Sequence, residues 1–199
     1  MRFVLKLLIC GLLATGAGTA YLALRSGDVV YTLHEWISPA RFQQHDEMIG
    51  TVAAQYGVEP MLVKAVVWRE SRFDPQKYGS AGERGLMQVT ERAAGEWAQE
   101  TRVENFRVEE LFDPKVNLQA GTWYLARALG HWKNQTDPIP FALAEYNAGA
   151  TRARRWAGGD DAGIVPARTF RSNIDFPGTR NYVDTVLARL EFYKQRGRM

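Results

Sequence analysis

The run Met61-Leu62-Val63 with Ala65-Val66-Val67-Trp68 is apolar on nearly every side of a helix, and two residues later it meets a carboxylate, Glu70. A helix without a polar face belongs at the centre of a domain. Pro60 suits its first turn, and it must stop before Asp74-Pro75, because the residue ahead of a proline avoids helical geometry. The spacing therefore predicts a central buried helix. Glu70 follows Val66 by four residues and Leu62 by eight, which continues the line of a buried face to the helix C-terminus.

A carboxyl in that position is disfavoured as an anion by desolvation and by the negative end of the helix dipole, so its pKa should rise. A group of that kind can protonate a leaving oxygen near neutral pH. The competing reading is an exposed Glu70 paired with Arg69 or Arg72. Ordinary glycoside hydrolysis also asks for a second carboxylate as base or nucleophile. Asp74 reads as turn chemistry in Asp-Pro, and Glu145 is a candidate that no spacing ties to Glu70. No pair emerges from the sequence.

The rest of the chain is read as helical. Met48, Ile49, Val52 and Ala53 repeat at three and four, and Gly57 supplies a left-handed stop. Residues 75–85 are too glycine-rich for an element and are expected to form a loop over a site. Helices are expected over residues 90–99, from the N-cap Asp113 and first-turn Pro114 to Trp132, and from Asp137-Pro138 to about Asn147 and Gly149. A short basic helix over 150–156, a loop over 157–177 and a closing helix over 182–193 complete the chain. No stretch alternates with period two, so the fold class is all-α.

At 199 residues and 46% hydrophobic content, the chain has material for one good core. Arg2 and Lys6 precede an uncharged, Leu-rich run from residue 7 to residue 24, which reads as a cleaved export signal or as an anchor long enough to span a bilayer. The boundaries drawn are a signal or membrane anchor at 1–25, a linker or a helix lying on the main domain at 26–43, and one domain at 44–195. The net charge of +3 comes entirely from the first segment, since the remainder carries 22 basic and 22 acidic groups. That balance gives no electrostatic case for nucleic acid. Arg152, Arg154, Arg155, Arg168, Arg171 and Arg180 make the C-terminal part locally basic, as a solvated face or as a surface for an anionic polymer. The single Cys10 excludes a disulfide, and His34, His45 and His131 lack ligand spacing, so no metal and no cofactor are implied. Trp97, Trp123, Trp132 and Trp156 are read as core before sugar-stacking.

Four short motifs occur in order: Glu70-Ser71; Ser80-Ala81-Gly82 leading into Gly85-Leu86-Met87-Gln88; Ala144-Glu145-Tyr146-Asn147-Ala148-Gly149; and Thr179-Arg180-Asn181-Tyr182-Val183. Together they resemble the soluble lytic transglycosylase domain, over about three quarters of the chain. The resemblance implies a lysozyme-like helical domain that cleaves peptidoglycan glycan strands between N-acetylmuramic acid and N-acetylglucosamine. It also implies a single acid/base, Glu70, with the N-acetyl group of the substrate replacing the second carboxylate and a 1,6-anhydro sugar as product. By motif position, Tyr146 would orient Glu70 or hold the sugar. Ser71 and Ser80 would meet acetamido or muramoyl groups, Gln88 and Asn147 would supply amide contacts, Gly85 would let backbone approach substrate, and Tyr182 would join them in substrate binding.

Two departures from the family pattern stand out. Val89-Thr90-Glu91 follows Gln88 where many members have an apolar residue and Met-Pro, and Gly178 occupies the place of a sugar-binding Glu. The first departure implies a different groove floor beside Gln88, and the second bears on substrate affinity or register but not on the acid/base step. The other readings are a water-using hydrolase on the same fold and a non-catalytic peptidoglycan-binding or scaffold module. The implied partners are glycan strands and, through residues 7–24, the inner membrane, with the domain exported to the periplasm or cell envelope.

Overall fold

The computed structural model describes residues 16–18, 21, 30, 34–35, 37–159 and 163–197. The expected signal or anchor segment lies almost wholly outside them. Among the described residues no helix is long and apolar enough to cross a membrane. The elements in order are α1 (Pro39–Gln43), α2 (Asp46–Tyr56), α3 (Pro60–Ser71), α4 (Glu91–Thr101), a 3-10 turn (Val108–Phe112), α5 (Pro114–His131), α6 (Ile139–Ala148), α7 (Ala150–Ala157), α8 (Ala167–Asn173) and α9 (Pro177–Arg196). Among the described residues extended pairing is limited to two isolated bridges, Tyr78 with Arg84 and Arg84 with Val89.

Helix α3 is the axis of the domain. Residues 62–68 are all buried, with α9 laid along one side and α2 along another. Lys64, in the middle of the helix, is 2% exposed and pairs with Asp46 at 2.7 Å, while desolvation lowers its pKa. Arg189 of α9 is fully buried against the Trp68 ring and bonds to Glu35. Losing one partner of such a pair strands a charge in the core, so these contacts lock the order in which the helices pack. The segment before α2 is thus not merely a linker: Glu35 is buried, and Phe42 of α1 packs edge-on against Phe73 at 5.7 Å.

The terminators follow local chemistry. Gly57 is left-handed at φ 66° and ends α2, and Asp113 Oδ1 accepts the Lys115 and Val116 N–H groups at the start of α5. Thr90 caps α4 through the Ala93 N–H. Helix α3 ends less cheaply, since Arg72 and Phe73 are both left-handed without being glycine, at φ 57° and 62°. Phe73 is 1% exposed, so its core packing offsets that strain.

Two expectations change. Residues 157–177 are not all loop, because α8 lies there with Phe170 stacked on Phe141 at 3.9 Å. The last helix begins at Pro177 and runs to Arg196. Trp97, Trp123, Trp132 and Trp156 are core, as expected, each at most 8% exposed. The basic face is partly tied down as well, since Arg155 pairs with Asp175 and Arg171 with Asp184, while Arg180 donates to the Ile174 and Ser172 carbonyls.

Candidate active site

Glu70 is the penultimate residue of α3 and opens into a groove of about 480 Å³. Arg69, Lys77, Tyr78, Gly79, Ser80, Glu83, Gln88, Thr90, Tyr146 and Asn147 line the same groove. A neighbouring cavity of about 360 Å³ shares Gln88, Thr90 and Tyr146 and runs on to Tyr124, Arg92 and Glu96. The two cavities adjoin along those shared residues.

The wall opposite α3 is the glycine-rich loop, and its shape is set by hydrogen bonds. Gly79 N donates to Glu83 O at 2.7 Å, Gly85 N to Lys77 O at 2.9 Å, and Arg84 and Val89 exchange both backbone bonds at 3.0 Å. Asn117 of α5, fully buried, clamps the loop from below: its Oδ1 accepts the Met87 N–H at 2.7 Å, and its Nδ2 donates to Arg84 O and Leu111 O. Sequence reading had no signal for Asn117, which sits on a helix with no motif of its own.

Burial raises the Glu70 carboxyl from an ordinary 4.5 to about 7. The Tyr182 hydroxyl and the Arg69 and Lys77 cations oppose that rise, and the Glu83 charge adds to it. Desolvation dominates, so about half of Glu70 is protonated at neutral pH. The Tyr182 hydroxyl approaches the carboxyl closely enough to favour its anion, yet no protein atom completes a well-formed hydrogen bond with that hydroxyl. Catalytic contacts commonly tighten only when a ligand is bound. Lys77 Nζ caps the helix end by donating to the Glu70 carbonyl.

The residues expected at the site divide. Glu70, Ser80, Gln88, Tyr146 and Asn147 share the groove. Gln88 spends its Nε2 on the Lys77 and Gly85 carbonyls, both at 3.0 Å. Asn147 Oδ1 accepts the Thr179 hydroxyl at 2.8 Å. Tyr146 donates its hydroxyl to Met87 O at 2.9 Å and packs against Tyr124, so it braces the loop; both tyrosines feel the Glu70 charge, and the Tyr182 hydroxyl is the one that approaches its carboxyl. Ser71 is 3% exposed and donates to Val67 O, away from the groove. Gly85, at φ 74°, is needed for packing: an added Cβ would lie 2.3 Å from both Asn117 Nδ2 and Leu111 O.

The other carboxylates separate too. Asp74 Oδ1 accepts the Gln76 N–H, as turn chemistry requires. Glu145 is buried, bonded to His131 Nδ1 and Trp132 Nε1, and lines a different cavity. Glu83 and Tyr78 are groove residues that sequence reading missed. Tyr78 is 62% exposed, with the Arg84 guanidinium 5.3 Å over its ring.

An all-helical domain with a lysozyme-like fold, built around one protonatable carboxyl in a groove, is the class that fold and groove define. The chain belongs to the Transglycosylase SLT domain family, whose family model matches residues 47–163. It is 34% identical over 131 residues to the soluble lytic murein transglycosylase of Salmonella typhimurium, covering 65% of this chain and 20% of that protein. It is 35% identical over 115 residues to membrane-bound lytic murein transglycosylase C of Sodalis glossinidius, covering 52% of this chain and 30% of that one. The crystal structure of the 70 kDa soluble lytic transglycosylase of Escherichia coli superposes with a TM-score of 0.69 at 28% identity, over 76% of this chain and 24% of that one. The chain thus spans about a fifth of the length of the soluble relatives it matches.

Proposed function

We propose that this chain is a peptidoglycan lytic transglycosylase that cleaves the β-1,4 bond between N-acetylmuramic acid and N-acetylglucosamine. The observation that carries the reading is Glu70, a carboxyl half-protonated near pH 7 at the end of a buried helix and open to a groove. The family and the names of its relatives supply the substrate class.

Glu70 donates its proton to the glycosidic oxygen as the bond to C1 of N-acetylmuramic acid breaks. The carbonyl oxygen of the 2-acetamido group bonds to C1 and carries the positive charge. The Glu70 carboxylate then takes the proton of the 6-hydroxyl, whose oxygen displaces the acetamido oxygen at C1. The products are a 1,6-anhydro end and a free 4-hydroxyl, and Glu70 is again protonated. The carboxyl must serve as acid and then as base, and a pKa near neutrality suits both steps. Tyr182 steadies the anionic form between them.

Ser80, Gln88 Oε1 and the Asn147 amide are the polar contacts offered to sugar substituents, with Tyr78 a stacking face at the rim. Ser71 and Gly85 act through the shape of the groove wall. Residues 44–195 form the working domain, exported and held at the inner membrane by the N-terminal segment, a reading supported by the membrane-bound relative. Digestion of purified murein by wild type and Glu70→Gln, with mass analysis of the muropeptides, tests the proposal. Anhydro ends from the wild type and at least a hundredfold less product from Glu70→Gln are expected; undiminished cleavage by the variant would show that the acid lies elsewhere.

A further inference from the structure

The groove holds a carboxylate that the single-acid scheme leaves without a task. Glu83 lies in the loop facing α3 and lines the same cleft as Glu70. Its Oε2 accepts the Ala81 N–H at 3.0 Å, which fixes the side chain over the loop, and its backbone carbonyl accepts from Gly79. No cation among the described residues pairs with it, and no protein donor there reaches Oε1. One turn bond does not account for a carboxylate aimed at the cleft, since a serine or an asparagine also satisfies a backbone N–H in a turn.

The loop is built to admit this group. A Cβ on Gly79 would sit 2.2 Å from Glu83 Oε2 and 3.0 Å from both Glu83 Cδ and Gln88 Oε1. Gly79 does not have a positive φ, so its backbone conformation does not demand glycine. The space over Gly79 is filled by the Glu83 carboxylate and the Gln88 amide oxygen. Glu83 is thus seated over Gly79 in the lining it shares with Glu70, and a side chain at 79 would displace its carboxylate from that place.

We propose that Glu83 is a second catalytic carboxylate, a general base that activates water at the anomeric carbon and so gives the groove a hydrolytic branch. The proposal rests on the assignment of glycan cleavage to this groove and adds a second product to it. Glu70 gives its proton to the glycosidic oxygen, and the bond from that oxygen to C1 breaks. A water oxygen bonds to C1 while Glu83 takes one of the water protons. One reducing end and one 4-hydroxyl result, and one water is consumed. Proton transfer from Glu83 back to Glu70 through solvent resets the pair. An acid and a separate base for water, arranged across a cleft, is the division of labour found in inverting glycosidases. Glu70 feels the Glu83 charge, so the two carboxyls are within electrostatic reach of one another. The 6-hydroxyl and water then compete for the same carbon, with Glu70 serving the first as base and Glu83 the second.

The test uses the full-length protein on murein whose reducing ends have first been converted to alditols, so that every new reducing end is made by the enzyme. The reaction runs in ¹⁸O-water and products are reduced at once and weighed. Wild type is expected to give anhydro ends together with ¹⁸O-labelled reducing ends. In Glu83→Gln the ratio of reducing to anhydro ends should fall at least tenfold, as removal of a general base requires. Gly79→Ala should lower the same ratio without altering either carboxyl, and Glu83→Asp should restore part of it. Anhydro ends alone from the wild type would overturn the hydrolytic branch and leave the transglycosylase reading intact, as would an unchanged ratio in Glu83→Gln. Reducing ends alone, lost with Glu83→Gln, would support the base and overturn the anhydro chemistry. No cleavage by the wild type would overturn both.

Discussion

Replacing Glu70 by glutamine should make the protein more stable while removing its proposed chemistry, and the gain should depend on pH in a calculable way. In the unfolded chain the carboxyl ionises with a pKa of 4.5; in the fold, burial holds it at about 7. The folded state therefore binds the proton more tightly. Below pH 4.5 both states are protonated and the group has no effect; as pH rises through 7 the folded protein must bury an anion, and the stability present at low pH is lost. At ~1.4 kcal/mol per pKa, the displacement from 4.5 to about 7 amounts to about 3 kcal/mol at pH 8 and above. Glutamine keeps the shape of the side chain without the charge. Thermal unfolding followed by circular dichroism should show Glu70→Gln melting about 6–12 °C above wild type at pH 8.5, on ~2–4 °C per kcal/mol for a chain of this size, and within about 1 °C of it at pH 4. An equal difference at the two pH values would mean that the effect is one of packing and that Glu70 does not carry a buried charge. A variant less stable than wild type at pH 8.5 would refute the burial argument outright.

The rate of murein cleavage should fall as pH rises through about 7, because the acid form of Glu70 starts the reaction; Tyr182→Phe removes a donor that favours the anion and should move that alkaline limb upward, as a rate–pH profile would show. Gly85→Ala forces a Cβ to 2.3 Å from Asn117 and the Leu111 carbonyl at φ 74°, and urea unfolding should register a loss of about 3 kcal/mol. Asn117→Ala leaves the Met87 N–H and the Leu111 carbonyl unpaired and takes from the Arg84 carbonyl one of its two donors, the Val89 N–H remaining, at a cost of about 3 kcal/mol. Hydrogen exchange at the Met87 amide should accelerate in that variant.

Helix boundaries were legible where a single residue dictates the backbone. Gly57 ends α2, Pro60 opens α3, and Asp113-Pro114 opens α5. Helix α8 was not legible because it is seven residues long and buries only Phe170, too little for a period to emerge. The hydrogen-bond partners of the two tyrosines were not legible for a similar reason. Both close polar motifs, but only the docking of α9 against α3 decides that Tyr182 meets Glu70 while Tyr146 reaches the Met87 carbonyl. Ser71 adjoins Glu70 in sequence yet faces inward, since the next position on a helix turns by about 100°.

What the sequence by itself determined is the axis and its acid: an apolar helix over residues 60–71 with a carboxyl at its end, and motifs enough to state the family. Those are local properties, set by hydrophobic period, proline geometry and the order of short patterns. What only the tertiary structure decided is the company that carboxyl keeps. Glu83 stands thirteen residues away in a glycine-rich stretch, where a charged residue reads as solvated. Gly79, Gly85 and the Asn117 clamp fold that stretch back across the groove, bringing the second carboxylate within the field of the first. Desolvation and Coulomb interactions depend on distance in space, and the spacing of residues along the chain does not encode that distance until the loop has closed.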